Sequence, residues 1–193
     1  MAVLAVLVAL YAGAALAVPM FRTPFVQDLF TRLPLAVAAH LAGGLVALVI
    51  GAFQVNARLR ARFLDGHRWA GRVYLVAVLV GGTAAFALAL RSFGGLVTHF
   101  GFGLLAVCWI SSTVNAYRHI RRGNQVAHRA WMLRSYALTL AAVTLRIYLP
   151  LSQVAGIEFE AAYQVISWLC WVPNLLVVEW LVLARSPRET VVA

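Results

Sequence analysis

The sequence predicts a polytopic α-helical membrane protein: six transmembrane helices forming a single integral domain over residues 1–193, with both termini in the cytoplasm. The chain is 63% hydrophobic and only 11% charged, whereas a soluble domain carries about a quarter charged residues. Its apolar residues fall in long runs without strict alternation, which is typical of membrane-spanning helices. Its basic residues lie mostly in short stretches between those runs, as expected for loops.

An internal repeat predicts that spans two to five form a four-helix core. The stretch His40–Ala57, HLAGGLVALVIGAFQVNA, recurs 59 residues later as His99–Ala116, HFGFGLLAVCWISSTVNA, with seven of 18 positions identical. The similarity continues past a basic loop, where His67 opens one apolar segment and His128 opens the next at an offset of 61. This pattern indicates a two-helix unit used twice, with a histidine near the start of each helix.

Proline, glycine and hydropathy set the expected span boundaries. Pro34 fits the first turn of span two, where its missing N–H is tolerated, and Pro150 is expected to stop span five. Gly81-Gly82 is the only candidate break within a span. Ala15-Leu16-Ala17 resembles a signal-peptidase site, but the segment lacks a positive start, so span one is expected to be retained. The expected spans are residues 2–19, 34–56, 67–90, 96–117, 128–148 and 161–184.

The distribution of arginine predicts the orientation and excludes a nucleic-acid-binding function. All 16 basic residues behind the net charge of +10 are arginine. Ten of them lie in the 57–68 and 118–129 loops and the C-terminal tail, which places these segments in the cytoplasm of a bacterial inner membrane. Anionic lipid head groups are the expected partners there. These ten are Arg58, Arg60, Arg62, Arg68, Arg118, Arg121, Arg122, Arg129, Arg185 and Arg188.

The four repeated histidines sort into two layers and predict two b-type hemes. With this orientation, His40 and His99 lie near the outer face, while His67 and His128 lie at the cytoplasmic starts of spans three and five. Two neutral imidazoles facing each other across a bundle supply the axial nitrogens that a b-type heme iron needs. Each layer is therefore a candidate heme site, and the outer one is the stronger candidate.

Three glycines are expected to give the flat macrocycle room. Gly44, Gly103 and Gly71 each follow a histidine by four residues, so each shares the helix face of its histidine. After His128 the corresponding residue is Met132, and the rule fails there.

Four arginines within or beside the spans are expected to bind heme propionates. Arg72 and Arg134 lie toward the cytoplasmic ends of their spans, and Arg91 and Arg146 lie toward the outer ends. An arginine inside a membrane is costly and usually paired. Glu179 is the only intramembrane acid, so an anionic cofactor would supply the missing charge.

These residues carry two resemblances, and the first, to a family without an established activity, implies no function. The segments 67–74 (HRWAGRVY), 127–136 (AHRAWMLRSY) and 143–146 (VTLR) resemble an uncharacterised bacterial family of predicted membrane proteins with a domain of unknown function, over about residues 36–150. The histidine plan resembles that of the cytochrome b561 proteins. That resemblance implies six spans, two b hemes and electron transfer across the membrane, with His40 paired to His99 and His67 to His128.

The sequence leaves three functions open. The first is transmembrane electron transfer by a diheme cytochrome b-like oxidoreductase, with a quinone or a small anionic reductant as donor. The second is a non-redox transporter, lipid-binding or assembly protein with a polar cavity lined by histidine and arginine. The third is a divalent-metal site formed by His67, His119 and His128. Assembly as a homodimer also remains open.

Overall fold

The computed structural model describes residues 2–54 and 61–185 as an all-helical chain, without a strand among them. This confirms the predicted all-α membrane class. A short 3₁₀ turn over Pro19–Phe21 joins the first two helices. The helices are α1 (Ala2–Ala17), α2 (Pro24–Arg32), α3 (Pro34–Gln54), α4 (Leu64–Ala89), α5 (Gly95–Arg121), α6 (Gln125–Thr139), α7 (Ala141–Val154), α8 (Phe159–Leu169) and α9 (Val172–Arg185).

Five helical stretches among the described residues are long and apolar enough to cross a membrane: Pro34–Gln54, Leu64–Ala89, Gly95–Arg121, Gln125–Val154 and Phe159–Val182. They correspond to predicted spans two to six. Helix α1, the predicted first span, has 16 residues. At 1.5 Å per residue it is roughly 24 Å long, shorter than a bilayer core of about 30 Å.

The core of the bundle has the arrangement expected from a duplicated two-helix unit. Helix α4 packs against both α3 and α5, and α5 packs against α6. Helices α3 and α5 therefore lie diagonally across the bundle. Helices α1 and α2 cover α3, α8 packs on α5 and α7, and α9 packs on α6. We call the end that carries Arg62, Arg68, Arg121 and Arg122 the basic end, and the other the opposite end.

Gly81 lies at a close helix–helix contact, and the predicted break at Gly81-Gly82 is wrong because α4 runs through both residues. A Cβ atom added to Gly43 would lie 2.6 Å from the carbonyl oxygen of Ala77 and 2.8 Å from the Cα atom of Gly81. The backbones of α3 and α4 thus touch directly. Small residues permit such contacts between membrane helices, where close packing replaces the hydrophobic effect.

The actual breaks lie in the last two spans, at Leu140 between α6 and α7 and at Cys170-Trp171 between α8 and α9. The second has a clear cause, because Pro173 has no N–H to continue the helix and its ring excludes the carbonyl four residues earlier. Asn174 links the two breaks. Its Nδ2 donates to the carbonyl oxygen of Cys170 at 3.0 Å and to that of Ala137 at 3.4 Å.

Pro150 does not end its helix, contrary to the prediction, because α7 continues through it to Val154. The proline lies one turn from the helix end, so its missing N–H costs a single hydrogen bond, to the carbonyl of Arg146. The following turn ends at Gly156, which has a φ of 71° that favours glycine.

Candidate functional site

A cavity of about 270 Å³ lies inside the half of the bundle nearer the opposite end. Its volume is close to the lower limit for small-molecule sites. Side chains from α1 to α8 line it, and most of them are apolar. Its polar lining residues are His40, Ser92, Thr139, Arg146, Tyr163 and Cys170.

The two helix breaks border this cavity. Thr139 and Ala141 flank the break at Leu140 and line the cavity, as does Cys170 at the other break. At both breaks the backbone keeps αR dihedrals, with φ −67° and ψ −10° at Leu140 and φ −70° and ψ −20° at Cys170. Each break therefore tightens a turn beside the cavity and does not unwind the helix.

His40 is held against the neighbouring helix by its ring. Its Nδ1 lies 3.1 Å from the carbonyl oxygen of Gly81. A carbonyl can only accept, so Nδ1 carries the proton and Nε2 keeps its lone pair, the arrangement of a metal-ligating histidine. The close contact of α3 and α4 at Gly43 brings that carbonyl within reach. One turn further, Gly44 lines the cavity and has open space where a Cβ would stand.

Arg146 lines the same cavity and lies within electrostatic range of His40. Its Nη1 donates to the carbonyl oxygen of Ala142 at 3.0 Å, and its Cζ lies 5.5 Å from the ring centroid of Tyr11. None of the ion pairs among the described residues includes it. The guanidinium charge is thus balanced by no described acidic side chain.

His99 occupies the equivalent position in the second unit but has a different contact. Its Nε2 donates to the carbonyl oxygen of Ser92 at 3.0 Å. By helical spacing it shares a face of α5 with the cavity residues Phe102 and Ala106 and lies one turn closer to the opposite end. Gly103 has only the edge of Phe86 nearby, at 3.9 Å from an added Cβ.

The other two histidines lie at the basic end, each three residues into its helix. His128 donates from Nδ1 to the carbonyl oxygen of Ala116 at 2.8 Å, which leaves its Nε2 as an acceptor. The backbone oxygen of His67 accepts from Nε2 of Gln54 at 2.9 Å. That amide nitrogen also lies 3.7 Å from a Cβ added to Gly71.

A buried hydroxyl network fills the centre of the bundle between the cavity and the basic end. The Tyr74 hydroxyl lies 2.8 Å from the Ser135 hydroxyl and 2.9 Å from that of Thr139. Thr113 lies 2.6 Å from Ser135, and the indole N–H of Trp109 donates to Thr139 at 2.9 Å. The diagonal helices α4 and α6 are therefore bridged directly at this level.

The remaining predicted arginines lie away from the cavity. Arg134 donates from Nε and Nη2 to the two carboxylate oxygens of Glu179 at 2.5 and 2.7 Å, and it stacks on Trp131. The only intramembrane acid therefore pairs with Arg134. Arg72 and Arg91 are exposed on the surface of the bundle.

The sequence interpretation missed an aromatic group at the opposite end. Tyr163 contacts Phe25, Phe102 and Phe159 with ring centroids 5.4–5.6 Å apart. Tyr163, Phe25 and Phe102 also line the cavity. These residues come from three distant parts of the chain, so no local spacing could have grouped them.

The proposed divalent-metal site finds no support in residues 2–54 and 61–185, which contain no group of three or more histidine, cysteine, aspartate or glutamate side chains able to hold a metal ion. His67, His119 and His128 thus do not form one. A pair of histidines, as axial heme ligation requires, is a separate question that such a cluster does not answer.

The fold defines a polytopic α-helical membrane protein, and its helices enclose part of a largely apolar cavity. Residues 37–182 match the model of a family described as "Predicted membrane protein (DUF2306)", and the chain belongs to this family. The predicted resemblance over residues 36–150 is thereby confirmed and extended to residue 182, within α9. Comparison with curated proteins and with solved structures finds no match.

The matched segment does not include the whole cavity wall. Five lining residues precede residue 37 and belong to α1 and α2. They are Val8, Ala12, Phe25, Val26 and Leu29. Arg22 fastens this N-terminal part by donating from Nε to the carbonyl oxygen of Ala15 at 2.8 Å and by stacking on Phe30.

Proposed function

We propose that the cavity binds heme b with His40 as an axial ligand and that the protein transfers electrons across the membrane. Bound heme would supply reversible one-electron redox chemistry, and the chain would supply ligands, a dry environment and compensating charge. The observation that carries the proposal is the meeting of His40, Gly44 and Arg146 at one cavity.

The contacts of these three residues fit a porphyrin. The Nδ1 hydrogen bond to Gly81 fixes the ring of His40 and leaves Nε2 free to ligate. Open space at Gly44 gives a flat ring clearance. Arg146, which no described acid neutralises, suits a propionate.

His99 is the proposed second axial ligand at this level. Its Nε2 is engaged with Ser92 in the structure. Ligation would therefore use Nδ1, or would replace the Ser92 contact. We retain a second heme between His67 and His128 as part of the proposal, although the Tyr74 network occupies the bundle centre beside that level.

Visible spectroscopy of the purified protein from heme-replete cells tests this function. We expect a reducible Soret band that is lost in His40→Ala and weakened in His99→Ala. His119→Ala is the matched control, because this half-buried histidine lies outside both proposed layers. A heme-to-protein ratio of one assigns heme to the outer layer alone, and a ratio of two adds His67 and His128. Colourless protein that binds no added heme would overturn the proposal.

The helix breaks favour one alternative, a non-redox transporter or lipid-binding protein. Broken helices that line a cavity are a feature of many transporters, and both breaks here border the cavity. The repeat is parallel, however, whereas many transporter repeats are inverted. Colourless protein whose cavity takes up a small amphiphile would favour this alternative.

We further propose that the protein lies in a bacterial inner membrane with its basic end in the cytoplasm. The exposed arginines of that end, among them Arg118, Arg122 and Arg129, would then face anionic lipid head groups. Reporter fusions after residue 193 test the orientation. A periplasmic enzyme fused there should be inactive, and activity would reverse the assignment.

A further inference from the structure

Arg146 has few partners for a half-buried charge within a membrane span. A guanidinium carries five N–H donors, and the structure assigns one of those of Arg146 to a hydrogen bond, to Ala142. The guanidinium of Arg134, which also lies within a span, has a bidentate carboxylate instead. A charge removed from water is costly unless it is paired, so the environment of Arg146 is incomplete without an anion.

The described acidic residues do not supply one, and none of them lines the cavity. Among the described residues, Asp28 pairs with Arg32, Asp65 pairs with Arg68, and Glu179 pairs with Arg134. Glu158 accepts from two backbone N–H groups at the start of α8. Glu160, the remaining described acid, is exposed and belongs to none of the three ion pairs. The polar lining of the cavity otherwise consists of neutral groups.

We propose that the cavity selects amphiphiles that carry a carboxylate, which Arg146 holds while the apolar body lies among the aliphatic and aromatic lining residues. The inference concerns the cavity of the proposed function and rests on it for the choice of heme as a probe. The shared chemistry is a carboxylate on an apolar body, which describes both a heme propionate and a single-chain fatty acid.

The geometry around Arg146 suits a carboxylate. The planar fork of a guanidinium can bind two carboxylate oxygens in parallel, and charge-assisted pairs of this kind are the strong ones. The Tyr11 ring, 5.5 Å from Cζ, restricts the side chain, and stacking leaves in-plane N–H donors available. His40 and Ser92 add neutral polar groups to the same wall.

The test compares free acids with their esters on the purified protein in lipid nanodiscs. One arm titrates heme b and its dimethyl ester, followed by the Soret band. The other titrates 11-(dansylamino)undecanoic acid and its methyl ester, followed by dansyl fluorescence. We expect each acid to bind about 10- to 100-fold more tightly than its ester, as for hydrogen bonds to charged groups.

In Arg146→Gln, each acid and its ester should bind almost equally tightly, so that the ratio of their affinities is close to one. Arg32→Gln is the matched control, since Arg32 is an exposed arginine at the same end of the bundle that does not line the cavity, and it should leave the ratios of affinities unchanged. Arg146→Lys keeps the charge but loses the fork, so its ratios should be intermediate. If Arg146→Gln does not fold, the acid-to-ester comparison on the unaltered protein remains decisive.

The two arms separate this inference from the proposed function. If heme and its ester bind equally tightly, and the fatty acid and its ester do too, carboxylate selection is refuted while heme binding stands. If no heme binds but the fatty acid binds in an Arg146-dependent way, the inference stands and the heme proposal fails. Acid-to-ester ratios unchanged in Arg146→Gln would refute the role of Arg146.

Discussion

Replacing Gly43 with alanine should force α3 and α4 apart. The added Cβ would lie 2.6 Å from the Ala77 carbonyl oxygen, and ordinary contact begins at 3.4 Å, so the helices must separate locally by about 0.8 Å. The obstacle is backbone on both sides and cannot rotate away. Because His40 reaches across this contact to Gly81 at 3.1 Å, a similar shift would stretch that bond beyond hydrogen-bonding distance.

The expected loss of stability follows from three opposing effects. Overpacking a tight interface costs about 1–3 kcal/mol, and losing the His40 hydrogen bond costs about 1 kcal/mol. Alanine gains about 1 kcal/mol over glycine within a helix. The net destabilisation of Gly43→Ala should therefore be about 1–3 kcal/mol.

Two neighbouring glycines provide graded controls. A Cβ on Gly44 would meet no atom within 4 Å, and one on Gly81 would lie 3.2 Å from the Cα atom of Gly43. The stability of the variants can be measured by unfolding with an increasing SDS fraction in mixed micelles, followed by far-ultraviolet circular dichroism. Gly43→Ala should be the least stable variant, Gly81→Ala intermediate and Gly44→Ala the most stable. Equal stability of Gly43→Ala and Gly44→Ala would refute the direct backbone contact.

Three further outcomes can be measured in the same way. Glu179→Gln removes the partner of Arg134 and should lower the free energy of unfolding by about 1–3 kcal/mol, less than the loss of a fully buried pair, because the Glu179 side chain is 34% exposed. A loss below about 0.5 kcal/mol, roughly the contribution of a surface pair, would contradict this. Tyr74→Phe removes a hydroxyl that bridges two others and should cost about 0.5–2 kcal/mol, and an unchanged transition would show that the network adds nothing. Backbone N–H groups at the start of α8 lower the pKa of Glu158. Its carboxylate therefore stabilises the fold above the unfolded-state pKa and ceases to do so as the pH falls through the lower folded-state pKa. Glu158→Ala should be less stable than the unaltered protein at pH 7 and equally stable in strong acid, and a difference in stability that persists in acid would exclude this cause.

Hydropathy predicted where helices occur but not where they are interrupted. The start of α3 at Pro34 was predicted correctly because the fixed φ of proline suits a first turn. The prediction that Pro150 ends its helix was wrong because a proline near a helix end costs only one hydrogen bond. The prediction of a break at Gly81-Gly82 was wrong because glycine also permits close packing between helices. Whether a glycine breaks a helix or receives a neighbour depends on tertiary contacts.

The candidate site was accessible from the sequence only in part. The repeat singled out His40, and intramembrane charge singled out Arg146, which the structure brings to one cavity. The partner of Arg134 was not predicted, although Glu179 was known to be the only intramembrane acid. Which arginine meets an acid 45 residues away depends on how α6 and α9 are rotated about their axes, and composition does not determine that rotation.

The internal repeat also explains why the contact between α3 and α4 is closed whereas the corresponding contact in the second unit is open. Tyr74 and Ser135 occupy equivalent positions at the offset of 61, and their hydroxyls meet, so an approximate twofold axis passes between them. Gly43 and Gly81 correspond in the second unit to Phe102 and Ala142, at offsets of 59 and 61.

Gly43 and Gly81 bring α3 and α4 into contact, whereas their equivalents in the second unit, Phe102 and Ala142, line the cavity. A glycine pair lets α3 and α4 close, and the bulk of a phenylalanine prevents the same closure in the second unit. The same two positions therefore form a close contact in the first unit and part of the cavity wall in the second. The same axis relates His40 to His99. The cavity lies against His40, which belongs to the unit whose two helices are in direct contact.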